Sequence, residues 1–192
     1  MRADAARNRE AVLTAAGSLF DDVTDPDQIS MDHIAAAAGV GKGTLFRGFG
    51  DRIGLIRALY QERSKDLQVA LSALDPSAAS RGGAGMDPVG RVLAALRAIV
   101  DFKLANSTLT RALENAGAGS PYDNESYGML HARLTGVVAE ARGQQDADYL
   151  AHALLAAVRS DLLHQLRDWP RARLDAGLSA LVTALLARDG AA

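Results

Sequence analysis

Apolar residues return every three or four positions along most of this chain, and almost nowhere at every second position. That is the period of helices with one face turned to a core. Val12, Leu13, Ala16, Leu19 and Phe20 mark such a face between about residues 5 and 20. Ile53, Ile56, Leu59, Tyr60, Leu67 and Leu71 mark another, on a long helix predicted from Asp51, as N-cap, to about Leu74. Helices are also predicted over 88–104, with Pro88 in the first turn, and over 108–115, 125–142, 146–167 and 171–188, the last two parted by Trp169-Pro170. With two short helices between residues 30 and 48, the pattern predicts an all-α fold of about nine helices.

The pattern lapses twice. Residues 75–90 are rich in Gly, Pro and Ser, and 116–124 contain Gly117, Gly119, Ser120 and Pro121, so both read as connections. The predicted organisation is a small helical domain over residues 1–50, a connecting helix over 51–74 and a second helical domain over 75–192.

The segment Ser30 to Arg52 carries the sharpest signal. Ser30 suits a helix N-cap, and Asp32 suits the positive end of the helix dipole. Ile34 and Ala35 to Ala38 form a narrow face on which another helix can sit closely. Gly39 permits a tight turn, Val40 tucks back, and a second helix over about 41–48 turns Leu45 and Phe49 inward. Lys42, Thr44 and Arg47 remain on its outer faces. This is the layout of a helix-turn-helix, whose second helix enters the major groove of DNA with its N-terminal residues near base edges. An ordinary helical hairpin with solvated basic residues is the rival reading. The coincidence of turn spacing, small residues before it and a Lys/Thr/Arg set after it favours DNA.

Around the turn, Gly39-Val40-Gly41-Lys42-Gly43-Thr44-Leu45-Phe46-Arg47-Gly48-Phe49-Gly50-Asp51-Arg52 resembles the TetR family of bacterial transcriptional repressors. The resemblance is specific over about residues 8 to 63. It departs from the family pattern at Gly41, where Ser is usual, at Phe46, where a Tyr hydroxyl is lost, and at Gly48, where a Tyr or His side chain is lost. Arg47 and Arg52 partly compensate, because guanidinium binds phosphate and guanine bidentately. The candidate DNA-binding residues are therefore Ser30, Gly41, Lys42, Gly43, Thr44, Phe46, Arg47, Gly48 and Arg52. Arg2, Arg7 and Arg9 either approach the DNA backbone or belong to a frayed terminus, and the two readings stay open.

Charge qualifies this picture. The 192 residues carry a formal net charge of −2, and residues 1–63 hold eight Lys/Arg against nine Asp/Glu. The acids gather at Asp21, Asp22, Asp25 and Asp27, whereas residues 39–57 hold Lys42, Arg47, Arg52 and Arg57 against Asp51 alone. A local basic face is enough for phosphate contact, but the low total predicts weak non-specific binding. There is no cysteine and hence no disulfide framework or thiolate chemistry. No run of about 18 uncharged apolar residues predicts a membrane span, and the charged first residues are unlike a signal peptide. A cytoplasmic protein with no membrane partner is expected.

In the second domain a ligand pocket should be mostly apolar with a few polar groups. Phe102, Tyr127, His131, His152 and Arg159 are its candidates, with Leu96, Leu104 and Leu134 as walls. A lone His on an apolar helix is as a rule a hydrogen-bonded core residue, and His152 and His164, twelve residues apart, form no paired metal motif. No metal or cofactor is expected. Trp169 reads as a packing plug. Leu150, Leu154, Leu155, Val158, Leu162 and Leu166 on one of the last helices, and Leu174, Leu178, Leu181, Val182, Leu185 and Leu186 on the other, cover too broad an arc for one core-facing stripe. Either these helices lie mid-core or they meet a partner subunit. The resemblance implies the partner, through a four-helix bundle, with Leu154, Val158, Leu162, Leu178, Leu181, Val182 and Leu185 as interface candidates.

No Gly-x-Ser-x-Gly elbow, phosphate-binding loop or cysteine nucleophile supports an enzyme. The resemblance implies a homodimeric repressor that binds a palindromic double-stranded DNA operator and is released by a small-molecule effector. The alternative is a helical ligand-binding or protein-interaction module with a degenerate helix-turn-helix.

Overall fold

The computed structural model describes residues 2–74, 87–115 and 125–187. All regular structure among them is helical. The helices are α1 (Arg2–Asp22), α2 (Met31–Ala38), α3 (Lys42–Phe49), α4 (Arg52–Arg63), α5 (Lys65–Leu71), α6 (Pro88–Ala105), α7 (Ser107–Asn115), α8 (Glu125–Arg142), α9 (Gln144–Ala156), α10 (Ser160–Gln165) and α11 (Arg171–Leu186). Short 3-10 turns occupy Pro26–Gln28 and Ser72–Leu74. The predicted connections lie largely outside the described residues, at 75–86 and 116–124.

The chain packs as two units. In the first, α1 to α4 enclose Val12, Ala16, Phe20, Ile34, Leu45, Leu55, Ile56 and Leu59. The helix α7, remote in sequence, completes this core with Leu109 and Ala112. It is anchored by polar contacts as well: Thr108 Oγ1 donates to the Val23 carbonyl at 2.6 Å, and Arg111 Nη1 to that of Thr24 at 3.2 Å. Packing thus assigns residues 107–115 to the first unit, although the sequence places them within the second domain.

The second unit holds α5, α6 and α8 to α11 around Leu67, Leu71, Leu74, Leu96, Val100, Leu134, Val138, Leu154 and Val182. Asp87 starts α6, its carboxylate accepting the Gly90 N–H at 2.6 Å with Pro88 in the first turn. Helices α8 and α9 are joined only by Gly143, whose φ of 96° reverses the chain.

Two predicted helices are each broken. The long helix over 51–74 is interrupted at Ser64 (φ −86°, ψ 6°), a buried serine whose Oγ turns back toward the Gln61 carbonyl at 3.4 Å. The helix predicted over 146–167 is interrupted before Ser160, where Arg159 is extended (φ −65°, ψ 146°) and Asp161 Oδ1 accepts the Leu162 N–H at 2.8 Å. In both places short polar side chains offer the backbone a local alternative to the helical ladder. Neither break contains Gly or Pro, so apolar periodicity runs through both without a mark.

Candidate nucleic-acid interface

Helices α2 and α3 are set against each other by their ends. Ser30 Oγ accepts the His33 N–H at 3.2 Å and starts α2. At the other end Gly39 is left-handed (φ 65°, ψ 28°), its N–H donates to the Ala36 carbonyl at 3.2 Å, and that of Val40 to Ala35 at 3.1 Å. This nested pair is a Schellman motif, in which a left-handed residue closes the last carbonyls of a helix. Gly41 then starts α3 with an extended backbone, and its carbonyl accepts the N–H groups of Thr44 and Leu45 at 2.9 and 3.2 Å.

Leu45 and Phe49 point inward, Leu45 being 1 % exposed, and the Arg9 guanidinium lies 4.7 Å from the centre of the Phe49 ring. Helical geometry then sends Gly43 and Arg47, four residues apart, to the middle of the opposite face, with Thr44 and Phe46 on either side. All four are exposed, Phe46 at 47 %. Among the described residues the Arg47 side chain has no hydrogen bond or ion pair.

The glycines of this helix are not required by the fold. A Cβ at Gly41, Gly43 or Gly48 would meet no atom within 4 Å, and none of the three has positive φ. At Gly54, one turn into α4, a Cβ would stand 2.1 Å from the Phe49 carbonyl oxygen. Here the two helices approach too closely for any side chain.

The other cations predicted to reach DNA are already engaged. Lys42 Nζ is 2.6 Å from Asp32 Oδ2, both side chains being exposed. Arg52 is placed differently from Arg47. Its Nη2 donates to the Pro26 carbonyl at 2.6 Å and its Nε to that of Ile29 at 3.1 Å. Its guanidinium thus holds the 26–29 turn. Ser30 is likewise employed as the cap of α2.

The pocket candidates of the second unit separate into three groups. Leu96 and Leu134 are fully buried at 0 % exposure, and Phe102 and Leu104 pack at the edge of the same core. Arg159 turns to Asp161, with Nε at 3.1 Å from Oδ1, and that hydrogen bond holds the aspartate below the usual carboxylate range. Tyr127, His131 and His152 come together in one stack. None of them lines the apolar cavity of about 140 Å³ in this unit, which is bounded by Val100, Leu163, Leu166, Trp169, Leu174 and Leu178 among others. Trp169, expected as a plug, lies on the rim of that cavity with the Arg173 guanidinium 3.6 Å from its ring centre. A small void shaped by α6, α10 and α11 has no signature in any one helix.

The predicted interface residues divide by burial. Leu154, Val158, Leu178 and Val182 are at most 8 % exposed within their own unit. The broad apolar arcs of α9 and α11, with Val158 just beyond α9, close this core, and those four side chains face it. Leu181 and Leu185 are half-buried, and Leu162 is 39 % exposed.

The comparisons with known proteins agree with this geometry. Residues 12–59 match the family model described as bacterial regulatory proteins of the tetR family, and these residues contain α2, the turn and α3. The chain is similar to HTH-type transcriptional regulators of Staphylococcus aureus, including that of strain COL, at 38 % identity over 72 residues; the match spans 38 % of this chain and 37 % of the relative. The aligned part is thus little more than a third of the curated relatives' length.

Solved structures extend the likeness in fold. A TetR-like transcriptional regulator from Rhodococcus sp. RHA1 superposes with a TM-score of 0.67 at 22 % identity, over 94 % of this chain and 97 % of that one. A TetR transcriptional regulator from Streptomyces coelicolor gives 0.52 at 27 % identity, over 93 % and 98 %. The TetR-like regulator LfrR from Mycobacterium smegmatis, solved in complex with proflavine, gives 0.53 at 22 % identity, over 94 % and 95 %. Among the described residues no helix is long and apolar enough to cross a membrane.

Proposed function

We propose that this chain is a DNA-binding transcriptional regulator that seats α3 in the major groove of double-stranded DNA. The observation that supports this reading best is the outer face of α3. Gly43, Thr44 and Arg47 stand exposed together on a short helix whose inner face and preceding turn are locked in place. Arg47 is then the residue for guanine or phosphate, Thr44 for a phosphate or base edge, and Lys42 for a phosphate once it leaves Asp32. Gly41, Gly43 and Gly48 let the backbone itself approach the duplex. With so few cations, affinity rests on a small number of contacts.

The finer reading is a cytoplasmic, non-catalytic repressor that acts as a homodimer on a palindromic operator and is released by a small ligand. Two-fold symmetry suits a reader of two half-sites. With Leu154, Val158, Leu178 and Val182 buried in the core, the dimer surface we favour is the outer side of α11. There Ala176, Ala180 and Ala184 recur at helical spacing and remain exposed, flanked by Leu181 and Leu185. Small residues let helices approach closely, and the exposed Leu162 of α10 adds apolar area. LfrR was solved with a small molecule bound, and we infer that this chain also takes one, in the cavity beside Trp169. At about 140 Å³ the cavity is below the roughly 300–1,000 Å³ of sites for drug-sized ligands, so a small effector fits as it stands. Binding would shift the population of DNA-competent dimers.

Footprinting of the purified full chain on DNA flanking its own gene is the direct test. A protected inverted repeat is expected, and no protection anywhere in that DNA would sink the proposal. The Lys42–Asp32 pair and the bare Gly48 favour a second reading, an interaction module with a degenerate helix-turn-helix. Replacing Lys42 and Arg47 together by Ala separates the two, because a DNA reader loses affinity and salt dependence whereas an interaction module keeps its partner.

A further inference from the structure

The hairpin of α8 and α9 gathers a set of donors that the DNA-binding reading leaves unused. Its turn consists of one residue, Gly143, so the two helices run antiparallel in close contact. His131 on α8 is thereby brought level with His152 on α9, their ring centres 3.9 Å apart. Asp148 lies one turn before His152 and shares its face. His131 Nε2 is 3.6 Å from Asp148 Oδ1, and one ligand atom from each of the three residues lies within 4.8 Å of the other two.

We propose that His131, Asp148 and His152 bind a divalent transition-metal ion, with Zn²⁺ or a neighbour such as Ni²⁺ or Cu²⁺ as its class. Two ligand atoms at about 2.0–2.1 Å from a tetrahedral Zn²⁺ stand roughly 3.4 Å apart. The His131–Asp148 separation already matches this, and the remaining gaps, at most 4.8 Å, close as the side chains rotate and the two stacked rings tilt so that their in-plane lone pairs converge. Asp148 has room to make them, its side chain being 77 % exposed, whereas His131 is largely buried at 16 %. Two imidazoles and one carboxylate suit these ions. Mg²⁺ and Ca²⁺ prefer shells composed of oxygen.

Tyr127 supports the assignment from outside the triangle. Its Oη is 2.6 Å from His152 Nδ1. When Nδ1 carries the proton and donates it to Tyr127, the Nε2 lone pair is left for the ion, an arrangement that outer partners of metal-bound histidines commonly enforce. His131 Nε2 lies 3.2 Å from the Asp148 carbonyl oxygen, and loading exchanges that hydrogen bond for the bond to the metal. Three protein ligands leave a fourth position for water or for a small molecule arriving from solvent. The site lies wholly within the second unit, so its test does not depend on DNA binding.

The test is calorimetric titration of the untagged, full-length protein with Zn²⁺. One ion per chain is expected, with affinity falling at least about tenfold in His131→Gln, His152→Gln and Asp148→Asn. Tyr127→Phe should fall by about 10–100-fold as the loss of an outer partner. The chain has four histidines, so His33→Gln and His164→Gln are controls that keep wild-type affinity. Circular dichroism checks the fold of each variant, and the exposed Asp148→Asn carries the test if either histidine variant misfolds. Substituted Co²⁺ should give a visible spectrum of low-symmetry coordination that Asp148→Asn alters. No binding by wild type, or binding unaffected by Asp148→Asn and the two histidine variants, overturns the proposal and leaves a plain stack of aromatic rings.

Discussion

Lys42 Nζ, at the start of α3, reaches back over the turn to Asp32 Oδ2 in the first turn of α2, 2.6 Å away. Asp32 helps α2 by its place at the positive end of the helix dipole. It also neutralises the cation nearest the N-terminus of α3. An exposed pair of this kind contributes only about 0–1 kcal/mol to folding, so its main consequence falls on what Lys42 does outside the molecule.

Asp32→Asn removes the competitor and keeps a helix-compatible side chain. DNA affinity should rise several-fold at low salt, while the melting temperature stays nearly unchanged. The slope of log K against log salt should steepen by up to about one, the contribution of one additional phosphate contact. Fluorescence anisotropy at several salt concentrations measures both. An unchanged affinity and slope would mean that Lys42 remains off the DNA.

Gly54 and Gly48 differ in what a methyl group would meet, and their alanine variants should move in opposite directions. At Gly54 the added Cβ would lie 2.1 Å from the Phe49 carbonyl oxygen, a backbone atom that can yield only if α3 and α4 part. Gly54→Ala is expected to destabilise the first unit by at least about 2 kcal/mol through overpacking. Gly48 has open space around it, so Gly48→Ala should stabilise by up to about 1 kcal/mol through helix propensity. Urea unfolding followed by far-ultraviolet circular dichroism distinguishes them, and similar midpoints for the two variants would contradict the close approach at Gly54.

Tyr60 makes stability depend on alkaline pH. Burial, and then the charge of Glu114, push its hydroxyl from about 10 to about 12. The neutral form is thus preferred in the folded state. The contribution is fully present below about pH 10, where the unfolded tyrosine is also neutral, and it is lost as pH rises from there through about 12. A difference of about two pH units corresponds to roughly 2–3 kcal/mol. Tyr60→Phe should flatten the decline above pH 10 in a plot of urea midpoint against pH, and equal slopes in variant and wild type would refute the assignment.

The legibility of this fold follows from the range of the interactions involved. Ser30 as a cap, Gly39 as a turn and Asp51 as the start of α4 depend on neighbours within four or five residues, and all three read directly from the chain. The break at Ser64 and that before Ser160 depend on weak local competition within apolar patterns that continue past them. His131 and His152 are 21 positions apart, and no single-helix spacing rule joins them. Only the one-residue turn at Gly143 sets their register. The apolar arcs of α9 and α11 show a related limit: periodicity gives the width of an arc but not whether the chain or a partner covers it, and Leu154, Leu178 and Val182 are covered by the chain's own core.

Arg52 and Arg47 offer the sharpest separation of scaffold from contact. Arg47 lies on α3 and Arg52 opens α4, and both are candidate DNA contacts by sequence. Arg52 donates to two carbonyls of the 26–29 turn, whereas Arg47 is exposed without a partner among the described residues. Hydrogen bonds from a charged donor contribute about 1.5–3 kcal/mol, and the half-buried position of Arg52 puts its loss toward the lower figure. Arg52→Ala should therefore lower the melting temperature by several degrees, with the salt slope of DNA binding preserved under conditions where the variant is folded. Arg47→Ala should leave the melting temperature alone, weaken DNA binding at least tenfold and reduce the salt slope by about one. Thermal scans and salt-dependent anisotropy on the two variants decide the matter. If Arg52→Ala alone reduced the slope, the contact face would have to be moved from the outer side of α3 to the start of α4.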